Sequence, residues 1–335
     1  MLVAVRRLSY NHALNFYRLG GQLDFMELIR GLHNLRPHHR GCVATIGAFD
    51  GVHRGHQKVL QQLMDKGREL DLPSTVVILE PLPREYFAPL KAPPRLMSFR
   101  EKCIALRDLG IDRVLRIRFT EAFSKVDAED FIVDTFVGKL GVRYIVVGDD
   151  LRFGRDRGGD FNLLRRLGEE HGYQVVDTHT LKEDSDRVSS TRIRQALQQA
   201  NFTLAGQLLG KPYSISGRVV MGQQLGRTLE VPTANLKLNR IRTALSGVYA
   251  VEVKGAESKL VYGVANVGTR PTVGDLTEAI LEVHLLDFDY DIYGKNIEVI
   301  FRKKIRDEKK FASLDELKAN ILSDITQTRI YFKLP

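Results

Sequence analysis

Gly47-Ala48-Phe49-Asp50-Gly51-Val52-His53-Arg54-Gly55-His56 follows the apolar run Val43-Ala44-Thr45-Ile46 and precedes Val59, Leu60, Leu63 and Met64 at helical spacing. A β-branched run that feeds a Gly-rich turn and then an amphipathic helix is one strand-to-helix step of an α/β fold. The junction is also an anion site. Backbone N–H groups at a helix start are unpaired and the dipole there is positive, while Gly47, Gly51 and Gly55 keep side chains out of the way of a triphosphate. His53 and His56, three residues apart at that start, can point to one side and donate hydrogen bonds to phosphate oxygens that gain charge in a transition state. The run therefore points to an enzyme acting on a nucleotide phosphate. The plainer reading is a pair of surface histidines in a turn. A zinc reading needs a third ligand at a sensible spacing, which His38, His39, His171, His179 and the distant Cys42 and Cys103 do not supply.

Outward from this step, short β-branched runs alternate with helical patterns as far as about residue 180. Strands are expected at Val43–Ile46, Thr75–Leu79, Arg113–Ile117, Tyr144–Val147 and Gln174–Asp177, with helices over 56–70, 98–109, 127–140 and 161–171. Ser98 and Glu101 are spaced as a capping box for the second of these helices. Such alternation predicts a parallel sheet covered on both faces, with ligands at the carboxyl ends of its strands. Beyond about residue 212 the pattern turns to strands alone, at Tyr213–Val220, Gly247–Lys254, Leu260–Val267, Ala279–Leu286 and Asn296–Arg302, which suggests an antiparallel sheet or small barrel. A last helix, with Ser313 and Glu316 as a second capping box, carries Leu314, Leu317, Ile321 and Ile325 as a stripe expected in the core. The connection over 200–212, with Gly206, Gly210 and Pro212, reads as a short ordered hinge.

At 335 residues and 43% hydrophobic content the chain is long enough for roughly two or three packed domains. Two cysteines exclude a disulfide framework, and no run reaches the ~18 apolar residues of a membrane span, so a cytoplasmic enzyme with no membrane association is expected. Residues 1–25 lack the apolar core and cleavage site of a signal peptide, and Met26 opens an amphipathic segment. The expectation is an N-terminal extension over 1–25 with a native start at Met26. The net charge of +9 invites a nucleic-acid reading, but Arg302–Lys310 mixes in two acids and has no interleaved aromatics for base stacking. A solvated face and anionic small substrates account for the sign, and no nucleic acid or obligate protein partner is implied.

A second phosphate motif lies at Arg187-Val-Ser-Ser-Thr-Arg-Ile-Arg194, where Ser189, Ser190 and Thr191 sit at a helix start and Arg194 falls one turn later. Backbone, hydroxyl and guanidinium could hold phosphates together there. In Leu281-Glu-Val-His-Leu-Leu286 the period of two sends Leu281, Val283 and Leu285 to one face and Glu282 and His284 to the other.

Taken with Gly148-Asp-Asp-Leu-Arg-Phe-Gly154 and Pro232-Thr-Ala-Asn235, these motifs occur in an order that resembles the bifunctional riboflavin kinase and FMN adenylyltransferase (FAD synthetase) family of bacteria, over about residues 26–333. The resemblance implies a Rossmann-like nucleotidyltransferase domain over 26–205 and a β-barrel flavokinase domain with a C-terminal helix over 206–335. In the first, the FMN phosphate would attack the α-phosphate of ATP to give FAD and pyrophosphate, with no covalent enzyme intermediate. Gly47, Phe49, Asp50, His53, Gly55 and His56 would line the ATP phosphates, Arg187, Ser190, Thr191 and Arg194 would grip the pyrophosphate, and Asp150 would face the flavin nucleotide or a metal. In the second, the ATP γ-phosphate would pass to riboflavin. Thr233 and Asn235 would hold Mg²⁺ and phosphate oxygens, Gly222 to Arg227 would form a flap, Glu282 would be the base, and Asn266 and Arg270 would lie on the flavin side. The chain departs from the family pattern at Glu230, where a glycine is usual, and at Leu82, where a polar residue is common. Rival readings are an adenylyltransferase lacking kinase activity, a cytidylyltransferase for a phosphorylated alcohol, and a nucleic-acid-binding protein.

Overall fold

The computed structural model describes residues 26–148, 150–178, 182–183, 186–222, 231–238, 240–271 and 277–335. Residues 1–25, expected as an extension, Arg227 in the expected flap, and Glu230 lie outside the described residues. Two compact units are present: Met1–Ala48, His56–Tyr86 and Cys103–Leu181 form one, and Phe49–Gly55, Phe87–Lys102 and Lys182–Pro335 form the other.

The first unit is built on a parallel sheet of β1 (Glu27–Arg30), β2 (Cys42–Ile46), β3 (Ser74–Glu80), β4 (Arg113–Arg118), β5 (Val142–Gly148) and β6 (Gln174–Thr178), in the order β1-β4-β3-β2-β5-β6. Helices α1 (Arg54–Leu70), α2 (Pro83–Phe87), α3 (Phe99–Leu109), α4 (Glu121–Ser124), α5 (Ala128–Phe131) and α6 (Phe161–His171) alternate with the strands. All five residues of β2 are buried, as a central parallel strand covered on both faces requires. The expected parallel sheet is therefore present, with one strand more than the pattern suggested. The segment opened by Met26 is that sixth strand. It pairs with β4 along an edge, too short to show a period, and buries only Ile29 among its four residues. The helix expected over 127–140 is a turn of α-helix that widens into a π-helix over Ile132–Lys139. The widened turn brings Phe131 and Phe136, five residues apart, edge to face at 5.6 Å between ring centroids.

The second unit is dominated by a closed antiparallel barrel of β9 (Ser214–Val220), β10 (Ala234–Lys237), β11 (Gly247–Lys254), β12 (Val261–Pro271), β13 (Thr277–Leu285) and β14 (Asn296–Arg306), in the order β10-β13-β12-β11-β14-β9. Closure removes the exposed edges of an open sheet. Ahead of it stand the two-residue strands β7 (Lys182–Glu183) and β8 (Asp186–Arg187), then α7 (Ser190–Gln198) and α8 (Phe202–Leu209). The expected hinge is thus mostly helix. Asn201 caps α8 by accepting from Leu204 N at 3.0 Å, Gly210 ends it at φ 79°, and Ala205, Leu208 and Leu209 are buried. Gly210 and Pro212, which suggest a hinge by composition, are in place the stop signal of a core helix, and Gly206 lies within that helix.

Both capping boxes are recognisable. Ser98 N donates to Glu101 Oε2 at 2.6 Å and Glu101 N to Ser98 Oγ at 3.3 Å. Ser313 Oγ accepts from Glu316 N at 3.1 Å, while the Glu316 carboxylate takes Ala312 N instead of the cap residue. The stripe on the C-terminal helix α9 (Leu314–Phe332) is corrected: Leu314 is 62% exposed, Leu317, Ile321 and Ile325 are half-buried, and the buried residues are Asp324 and Thr328. Asp324 is buried because Arg306 of β14 reaches it with Nε at 3.0 Å and Nη2 at 2.8 Å. A satisfied ion pair, which a hydrophobicity pattern cannot register, fixes that face of the helix.

Candidate active sites

The opening motif bends through a strained loop. Phe49, Gly51 and Val52 have φ of 46°, 89° and 40°, and a β-branched residue in the left-handed region is rare unless its surroundings hold it there. Those surroundings are on the same unit. The Asp50 carboxylate, 3% exposed, accepts from Leu96 N at 3.0 Å and Met97 N at 3.1 Å and pairs with Arg194 Nη2. Ser190 Oγ donates to the Asp50 carbonyl at 2.8 Å. A Cβ on Gly51 would run into Leu96, so only glycine serves there on both counts.

Asp50, expected on the ATP side, turns its carboxylate into the protein. Its effect on an anion site is to orient Arg194, whose Nε also donates to Pro94 O at 2.7 Å. With two nitrogens so engaged, the guanidinium is a fixed positive group. Ser189 caps α7 by accepting from Arg192 N, Ser190 is half-buried, and Thr191 is exposed in the first turn. Arg187 is exposed on β8.

His53 is 5% exposed. Burial lowers its pKa to about 4, partly opposed by Asp50 and aided by Arg187 and Arg194, so the ring is neutral near pH 7 and offers one N–H. A Cβ on Gly55 would lie 3.2 Å from the His53 ring and 3.3 Å from Val188 O, so glycine leaves room for the imidazole. Asp50, His53, Gly55, Ser190 and Arg194 thus lie in the barrel-containing unit. Gly47, His56 and Asp150 belong to the parallel-sheet unit: Gly47 N donates to Val77 O at 3.2 Å, His56 is half-buried in the first turn of α1, and Asp150 is exposed in the turn after β5. The participation of Leu96, Met97 and Pro94 was not legible in the sequence, because each acts through its backbone.

The second candidate site is on the barrel. Asn235 of β10 pairs with Glu282 of β13, and Glu282 pairs with Asn266 of β12, so three polar residues stand side by side across three strands. Directly opposed residues share a face. Leu281 and Val283 are buried in the barrel, which puts this row on the outer face, as the period of two predicts for Glu282. Arg270 continues β12 opposite Glu278, four positions from Asn266. Beside the row is a cavity of about 450 Å³, lined by Gly222, Thr233 and Asn235 and walled by Phe288, Asp289, Tyr290 and Tyr293. His284 Nδ1 bonds Pro232 O at 2.8 Å, and because a carbonyl only accepts, the proton is on Nδ1. Burial lowers the pKa of this histidine. The aromatic wall was overlooked in the sequence, although acids alternating with aromatics in Asp287-Phe-Asp-Tyr-Asp-Ile-Tyr293 are a visible signal.

Among the described residues one group of potential metal ligands forms, Glu27, His38 and His39. His39 accepts from Arg36 N at 2.8 Å through Nδ1 and bonds Glu27 at 2.8 Å through Nε2, with Arg113 Nε 3.6 Å from Glu27, so the group reads as an anchor for β1.

A neutral histidine and an oriented arginine in one candidate site, and a polar row near a cavity on the barrel in the other, are groups suited to phosphate chemistry. Residues 35–192 match the family described as FAD synthetase and residues 209–332 the family described as riboflavin kinase. The bifunctional riboflavin kinase/FMN adenylyltransferase of Escherichia coli K12 is 52% identical, covering 92% of this chain and 99% of its own. That of Pseudomonas fluorescens is 50% identical over 91% and 97%. A crystal structure of a Streptococcus pneumoniae protein, described as a macrolide-efflux protein, superposes with a TM-score of 0.71 at 31% identity, covering 91% of this chain and 99% of that one. The chain belongs to the bifunctional riboflavin kinase/FMN adenylyltransferase family. Among the described residues no helix is long and apolar enough to cross a membrane.

Proposed function

We propose that this enzyme makes FAD in two ATP-dependent steps, riboflavin to FMN and FMN to FAD with release of pyrophosphate, and that each step uses one of the two sites described above. Kinase chemistry is assigned to residues 206–335 and adenylyl transfer to residues 26–205, with 1–25 an extension. The cytoplasm is the proposed compartment. The observation that carries the division is chemical: hydrogen-bond donors and a fixed cation gather at one site, while a carboxylate flanked by two carboxamides stands at the other.

For adenylyl transfer, the chain offers positioning and charge stabilisation. His53 and His56 donate to the ATP phosphates, and neutral His53 does so without the cost of a buried charge. Arg194, aimed by Asp50 and Pro94, neutralises the departing pyrophosphate together with Arg187, Ser190, Thr191 and the N–H groups of α7. Asp150 faces the flavin nucleotide.

For phosphorylation, Glu282 accepts the riboflavin hydroxyl proton, a role supported by its place between Asn235 and Asn266. Thr233 and Asn235 are oxygen donors at the cavity, a set that fits Mg²⁺ with ATP. The ion, when bound, neutralises charge on the transferred phosphate. Asn266 and Arg270 lie on the flavin side, with Gly222 over the nucleotide.

Purified enzyme incubated with riboflavin, ATP and Mg²⁺ yields FMN and then FAD, resolved by chromatography. His53→Ala stops FAD formation and spares FMN, and Glu282→Ala stops FMN formation while converting added FMN to FAD. Loss of both activities in either folded variant would rule out the two-site assignment.

A further inference from the structure

We propose that the buried pair Glu101–Arg240 is a positioning device by which the kinase half of the sequence sets the phosphate grip of adenylyl transfer. The inference rests on the assignment of His53, Ser190 and Arg194 to that grip. Every residue in it belongs to the barrel-containing unit.

Arg240 lies just after β10 and is 6% exposed. Its Nη2 pairs with Glu101, and its Nη1 donates to Arg95 O at 3.4 Å and Leu96 O at 3.3 Å. Glu101 is also held by β9, accepting from Ser216 N at 2.7 Å, and Tyr213 Oη donates to Leu96 O at 3.4 Å. The barrel side therefore grips the segment 95–101 at both its carbonyls and its acid. That same segment turns its N–H groups the other way. Leu96 N and Met97 N hold the Asp50 carboxylate, Asp50 aims Arg194, and Pro94 O takes the Arg194 Nε. Leu96 is the pivot, with its carbonyl held by Arg240 and Tyr213 and its N–H holding Asp50. If the carbonyl grip is released, Leu96 and Met97 no longer fix the height of the Asp50 carboxylate, Ser190 and Arg194 alone remain on Asp50 in this chain of bonds, and the left-handed loop at Phe49–Val52 loses one of the anchors that offset its strain. Arg240 and Glu101 touch no substrate in this account. They act through Leu96 and Asp50.

Removing Arg240 alone would strand a buried carboxylate and risk unfolding, so the test is the double variant Glu101→Gln/Arg240→Met, which leaves neither charge unpaired. Both reactions are measured on the full-length protein, with ATP varied in each. The expected result is a fall in kcat/KM for FAD formation on the order of tenfold to a hundredfold, expressed mainly as a higher KM for ATP. FMN formation and its KM for ATP stay within about twofold. A purely structural pair would lower both activities together with the unfolding temperature, and that outcome, like no change in FAD formation, overturns the proposal. Arg194→Ala is measured alongside. If it is inactive in adenylyl transfer while the double variant is fully active, the inference falls and the grip stands; if Arg194→Ala is active, the grip itself is wrong and the inference falls with it.

Discussion

Gly222→Ala tests the kinase site through a single methyl group. A Cβ at Gly222 would meet three side-chain atoms of Asn235, the farthest of them Oδ1 at 2.7 Å, against an ordinary contact of 3.4–4 Å. The carboxamide must therefore retreat by at least the difference, 3.4 − 2.7 = 0.7 Å at Oδ1, and further at the amide nitrogen. Gly222 does not have a positive φ, so alanine is tolerated by the backbone and the cost falls on the neighbour. A ligand-holding group misplaced by about 1 Å costs on the order of a hundredfold in rate, or ~2.7 kcal/mol of barrier. Steady-state conversion of riboflavin to FMN should fall by about that factor, while FMN to FAD, measured in the same preparation, is unaffected. A Gly222→Ala enzyme that makes FMN at the wild-type rate would refute the placement of Asn235 at the reacting phosphates.

Other outcomes follow from the same geometry. Because His53 is held at about 4 in the folded protein and titrates near 6.5 when free, the unfolded chain alone takes up its proton between those values. Its contribution is therefore fully present above about pH 6.5 and lost as pH falls toward 4, by at most ~3 kcal/mol, and urea unfolding of His53→Gln should lack that slope. Asp50→Asn removes the partner of Arg194 and weakens the hold on the loop, so FAD formation falls at least about tenfold with FMN formation retained. Asp324→Asn breaks the buried pair with Arg306 and should cost about 3 kcal/mol, read as a lower unfolding temperature with both activities intact in the folded fraction.

What the sequence revealed and what it concealed have different physical origins. Local signals were faithful: the alternation that builds β2 to β6, the capping serines, and the period that turns Glu282 outward are consequences of neighbours a few residues apart. Four-residue strands such as β1 and β10 are too short to carry a period, and α8 was masked by the glycine and proline that terminate it. The site residues emerged as motifs, but their division of labour did not. That Asp50 serves Arg194, or that Asn235, Glu282 and Asn266 share a row, depends on pairings between distant segments that no window along the chain contains.

The strained loop at Phe49–Val52 belongs to a unit whose remaining parts begin at Phe87 and Lys182. Synthesis runs from the amino end, so this loop is made before Leu96 and well before Ser190 and Arg194 exist to hold it. The histidine motif is an early passage of the message and a late achievement of the fold. A nascent chain halted at the end of β6 carries every strand of the parallel sheet, yet none of the α7 groups that bind the Asp50 loop. On the proposed assignment of these residues to adenylyl transfer, that step would need α7 in place and so more than half of the polypeptide made.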